Sequence, residues 1–166
     1  MTLVPTLLAC LLTSQTPAVQ DPAWLTFQDD QKAVAAQFPG WESFRPYPGP
    51  ILKGAYNRKG TSSFILVYCD LPKGTDPQTF LPKAYDDHVA GVKWARIVSR
   101  EFGSWQGLPA YDGVFLVGSG TREATARIRL VVLGNRLFQQ YAQWKTLAPE
   151  DKALADRFFD SLKLIR

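Results

Sequence analysis

Apolar and polar side chains alternate most cleanly between Thr121 and Trp144, where two strand-like runs flank Gly134-Asn135. Such a two-residue connection suits a hairpin, because these residues adopt positive φ easily. With that turn, Val132 faces Leu137, Leu130 faces Gln139 and Ile128 faces Tyr141. The period of two puts Ala126, Ile128, Leu130 and Val132 on one face, and Arg127, Arg129 and Val131 on the other.

Upstream, residues 51–57 and 62–71 form another hairpin turning at Arg58-Lys59-Gly60. Phe64, Leu66 and Tyr68 share one face of its second strand and Ile65, Val67 and Cys69 the other. A strand apolar on both faces is central and needs a covering layer on each side. Leu81, Tyr85, Val89 and Val92 recur at helical spacing and predict a helix over 79–92. Asp76 before Pro77 suits its cap, while Pro82 pushes the regular part towards Leu81. A closing helix is predicted over 150–164, where Pro149 suits the first turn and Glu150 and Asp151 complement the dipole. Leu154, Phe158, Leu162 and Ile165 form its apolar stripe, widened by Ala155 and Phe159.

The remaining pattern predicts strands at 25–27 and 33–38 around a polar turn at 28–32, with a helical turn as the alternative for the second. Two further strands run over 95–105 and 110–117, separated by Gly107-Leu108-Pro109. Gly118-Ser119-Gly120 then turns the chain into the Gly134-Asn135 hairpin. Residues 40–50, GWESFRPYPGP, hold too many prolines and glycines for a regular element. Their aromatics either fold back over the sheet edge or form an exposed contact surface.

This order of elements, with Phe27, Val34 and Phe38-Pro39 at the start, resembles the PsbP-like/DcrB-like family of exported bacterial domains. Gly107-Leu108-Pro109-Ala110 leading into a strand and the closing run Phe158-Phe159-Asp160-Ser161-Leu162-Lys163-Leu164 carry the rest of the likeness. The resemblance implies an α+β fold: an α/β/α sandwich, with a central, mostly antiparallel sheet of about six or seven strands and helices on both faces. It also implies a mostly non-catalytic family of envelope lipoproteins and photosystem accessory subunits, and supplies no catalytic motif. Fold analogy is in any case a weak guide to function.

Composition changes the picture mainly at the amino terminus. The first twenty residues carry no charged side chain, and residues 3–12 are almost wholly apolar. With Ser14-Gln15-Thr16-Pro17-Ala18 behind it, this run reads as a signal peptide cut after Ala18, leaving 19–166 as one domain. About 20 apolar residues are needed to span a bilayer, more than the run offers. Leu7-Leu8-Ala9-Cys10 also resembles a lipobox, so association with the membrane would be peripheral or through a lipid on Cys10. The expected address is the periplasm, the cell envelope or the medium. A formal charge of +4 keeps the chain soluble and falls short of a nucleic-acid footprint.

Candidate chemistry is sparse. Asp86-Asp87-His88 is the one place where the single histidine meets carboxylates, but consecutive helical residues point about 100° apart and cannot converge on one metal. An enzyme built on His88, a small hydrolase or a metal-dependent one, would need carboxylates from elsewhere. Cys69 reads as a small buried apolar residue. No catalytic set, metal site or cofactor is implied. The ligand-binding candidates are Arg127 and Arg129 with Gln140 opposite, a pair of guanidiniums beside an amide suited to a carboxylate or phosphate. Trp41, Arg45 and Tyr47 form a second candidate, as a stacking surface. The expected protein is a monomeric, non-enzymatic envelope domain that binds a small ligand or an unidentified envelope protein and no nucleic acid. The alternatives are the His88 enzyme and an assembly or chaperone-like factor docking through residues 40–50.

Overall fold

The structure, a computed structural model, describes residues 23–40, 45–46 and 52–165. The expected leader with its expected cut after Ala18, Cys10, Trp41 and Tyr47 lie outside the described residues, as does the side chain of Arg45.

Alternation builds the larger sheet. Its strands are β3 (Arg45–Pro46), β4 (Lys53–Lys59), β5 (Ser62–Asp70), β6 (Ala95–Trp105), β7 (Leu108–Val117), β8 (Ala124–Leu133) and β9 (Arg136–Lys145). They lie in the order β3-β4-β5-β9-β8-β7-β6, with every neighbouring pair antiparallel. The β8–β9 register places Val132 opposite Leu137, Leu130 opposite Gln139 and Ile128 opposite Tyr141, as alternation around Gly134-Asn135 requires. Gly134 has φ +62 at the first turn position, where a residue with a Cβ is strained.

Each face of this sheet has its own core. Helix α1 (Pro77–Ala90) lies on β6, β7 and β8 and buries Leu81, Tyr85 and Val89 against Phe115, Ile128 and Leu130. Helix α2 (Pro149–Ser161) lies on β5 and β9 and buries Ala155, Phe158 and Phe159 against Phe64, Leu66 and Phe138. Phe64, Leu66 and Tyr68 of β5 thus enter the α2 core, while Ile65 and Cys69 pack against the α1 core. The fold is an α+β, α/β/α sandwich.

Local chemistry shifts several boundaries. Helix α1 starts at Pro77 rather than near Leu81 and carries Pro82 internally. Asp76 accounts for the early start: its carboxylate accepts from the Gln78 amide at 3.1 Å and from the Thr79 hydroxyl at 2.5 Å. The Thr79 bond is the chief reason its carboxyl lies below the usual carboxylate range. Asp76→Ala should lower Tm by about 3 °C in a melting scan, and Asp76→Ser should recover most of that.

Helix α2 stops at Ser161 instead of reaching Leu164. Lys163–Leu164 forms β10, which pairs with β2 (Val34–Pro39) in a second, antiparallel sheet ordered β1-β2-β10, β1 being Trp24–Gln28. The extended backbone at Leu162 turns its side chain into the α2 core, so the predicted stripe ends one turn early. Residues 33–38 take the strand alternative, because β2 has a partner on each side. No helix among the described residues is long and apolar enough to cross a membrane.

Candidate functional site

The β8–β9 register and the overlying α2 bring Arg127, Arg129 and Gln140 together, and their donors find partners within the chain. Arg129 Nε donates to both oxygens of Asp112 at 3.1 Å, and its Nη1 donates to the Phe159 carbonyl at 3.4 Å. Arg127 lies 3.6 Å from Asp112 and 3.9 Å from Asp156, with its guanidinium 4.2 Å above the Phe159 ring. Gln140 is fully buried and donates to the Phe158 carbonyl at 2.6 Å. Phe158 and Phe159 lie in the last turn of α2, where carbonyls have no helical partner and the dipole favours cations. The group therefore caps a helix and ties it to the sheet, a role that accounts for its polarity. Of the stacking candidates, Arg45 contributes backbone to β3, and Trp41 and Tyr47 fall outside the described residues.

His88 sits in the final turn of α1 between aromatic rings, 5.5 Å from Tyr141 and 6.1 Å from Phe115. Burial lowers its pKa from the usual 6.5 by disfavouring the imidazolium, and its Nε2 is enclosed without a hydrogen-bond partner among the described residues. Neighbouring carboxylates turn away, Asp86 to Arg100 and Asp87 to Lys83. Among the described residues no group of three His, Cys, Asp or Glu is placed to hold a metal ion.

A different place has the shape of a site. Just past the end of α1, where β6 and β8 begin and β7 and β9 end, an open cleft of about 680 Å³ lies against the sheet. Ala95, Val117 and Ala124 give it an apolar wall, as the strand pairs Ala95–Val117 and Val117–Ala124 dictate. Trp94 stands at its mouth, 79% exposed and with φ +58. A bulky residue in left-handed backbone costs about 1–3 kcal/mol, and such strain concentrates at ligand sites.

The polar lining is Arg96, Ser119, Arg122 and Gln143. Arg96 pairs with Glu123 at 2.7 Å, whereas Arg122 has no ion-pair partner among the described residues. The Tyr141 hydroxyl donates to Gln143 Oε1 at 2.7 Å, which leaves the Gln143 amide NH₂ as the donor. Burial pushes the Tyr141 phenol up to about 12, so it keeps its proton at neutral pH. Sequence reasoning did not single out this cleft, because four separate segments build it. The available signal was a tryptophan in the short turn Gly91-Val92-Lys93-Trp94 after a helix.

Neither a family model nor a curated protein sequence matches the chain. Its fold does match solved structures. Cyanobacterial PsbP from a Synechocystis species is 14% identical with a TM-score of 0.60, covering 89% of this chain and 96% of that one. LpqN of Mycobacterium tuberculosis, described as involved in cell envelope biogenesis, is 10% identical with a TM-score of 0.61, covering 87% and 91%. The Ran-binding protein Mog1p of Saccharomyces cerevisiae is 10% identical with a TM-score of 0.52, covering 86% and 96%. At such identities the likeness shows the fold alone, and that fold is PsbP-like.

Proposed function

We propose that this chain is an exported, non-enzymatic binding domain of the cell envelope, and that the Trp94 cleft is where it takes its ligand or partner. The carrying observation is Trp94 itself: a large aromatic side chain held out of the core on strained backbone, over an apolar-walled cleft within the usual volume range for ligand sites. The apolar run at residues 3–12 and the involvement of LpqN in cell envelope biogenesis support the address, and Ran binding by Mog1p supports binding as a use of this fold.

Trp94→Gly tests the reading, because glycine adopts φ +58 without strain. Its Tm should equal or exceed that of the parent by a few degrees, while the variant loses whatever the parent retains from its own envelope fraction. Equal retention by the two proteins would refute the cleft. A chain found in the cytoplasm with its leader intact would refute the address.

A further inference from the structure

The chemistry of the cleft narrows what it accepts. Among the described residues its ionic lining consists of two arginines and no carboxylate, and the nearby Glu123 is occupied by Arg96. Arg122 therefore contributes a positive charge that no carboxylate among the described residues pairs with. The Gln143 amide NH₂, held by the Tyr141 hydroxyl, adds a neutral donor on the same wall. Donors predominate on the polar side. On the other side lie Ala95, Val117 and Ala124 beneath the exposed indole of Trp94, a surface that gains by covering an apolar body. Guanidinium with amide suits an anionic headgroup, and the apolar wall beside it suits the chain or ring attached to that group.

We infer that the cleft binds an anionic amphiphile, with its carboxylate or phosphate at Arg122 and Gln143 and its apolar part against Val117 and Trp94. This rests on the cleft being the binding site. NMR titration of the ¹⁵N-labelled protein, with decanoate, decyl phosphate, decyl maltoside and inorganic phosphate each below its micelle concentration where it has one, separates the two claims. Both anionic amphiphiles should shift the amides of residues 94–96 and 117–124 and the Gln143 side-chain NH₂, saturably. The neutral detergent and free phosphate should bind about tenfold more weakly or worse, since each lacks one half of the contact. Arg122→Glu should weaken the anionic amphiphiles about tenfold or more while leaving Tm unchanged, because its side chain has no ion pair to lose among the described residues. Trp94→Gly should weaken them without lowering Tm.

If decyl maltoside moves the same residues with similar affinity and Arg122→Glu changes nothing, the anionic class is wrong while the cleft stands as a binding site. If no amphiphile moves those residues, the amphiphile inference is refuted, and the cleft as a binding site is decided by the Trp94→Gly retention test. Binding by inorganic phosphate as tight as by decyl phosphate overturns the amphiphile and leaves an anion site.

Discussion

Gly113→Ala should destabilise the protein by about 3 kcal/mol, near the upper end of what overpacking costs. Gly113 lies on the α1 face of β7, opposite Arg100 on one side and Ile128 on the other. A Cβ there would stand 2.1 Å from Tyr85 Cε2, 2.4 Å from Cζ and 2.6 Å from the phenol oxygen. Tyr85 has no room to retreat: it is fully buried, with Tyr111 at 5.2 Å and Phe115 at 6.4 Å between ring centres. The added methyl must push the ring, and with it α1, off the sheet. Denaturant titrations of Gly113→Ala, Tyr85→Leu and the double variant check the mechanism. Leucine removes the atoms that clash, so Gly113→Ala should be milder by at least about 1 kcal/mol in the Tyr85→Leu background. Losing the Tyr85 hydroxyl matters little, because its bond to the Ser99 carbonyl is long at 3.5 Å. Strict additivity would refute steric conflict between these two residues as the cause.

The period of two set the strand register at Gly134-Asn135 without any tertiary information, because a one-residue slip would turn Ile128 and Leu130 away from the core. The two apolar faces of Phe64 to Cys69 likewise required covering layers, and the structure supplies α1 and α2. What escaped depends on partners distant in the chain. Strand β10 exists because Ala35 and Val34 of β2 accept it, not through any propensity in Lys163-Leu164. Pro82 is carried inside a helix whose apolar stripe packs on the sheet, so packing overrides the local rule. Arg127 and Arg129 read correctly as one face, yet only the arrival of α2 shows that Arg129 meets its carbonyl end and Arg127 the Phe159 ring. The cleft was the least legible feature, since Trp94, Val117, Arg122 and Gln143 become neighbours only through four strand termini.

The other large effect is expected at Arg136, the first residue of β9, which is 6% exposed. Its guanidinium donates to Asp29 at 3.2 Å, to Asp30 at 2.6 Å and to Asp70 at 2.8 Å, and lies 5.0 Å over the Tyr68 ring. Asp29 is enclosed and also accepts the amides of Ala33 and Val34 at 2.7 and 2.8 Å, which shapes the turn between β1 and β2. One cation thus fastens the turn of the small sheet to the paired ends of β5 and β9. Arg136→Ala leaves three carboxylates converging on an empty place, one of them buried, and should cost about 3–5 kcal/mol in denaturant unfolding at neutral pH. Arg136→Lys keeps the charge but not the forked donors, and should fall between the two. The sign of the pH dependence distinguishes charge from packing. Hydrogen bonds from Arg136 are the chief reason that the Asp30 and Asp70 carboxyls lie below 3.8 in the folded protein. Groups depressed in this way stabilise the fold above the unfolded carboxylate range near 3.9, and the benefit is lost as pH falls through the folded values. Without the arginine, the crowded carboxylates repel one another at neutral pH and are relieved by protonation. The stability gap between parent and Arg136→Ala should therefore be widest at about pH 7 and shrink markedly by about pH 3. A gap of constant size across that range would mean that Arg136 acts through the packing of its aliphatic stem, and that the three aspartates are bystanders.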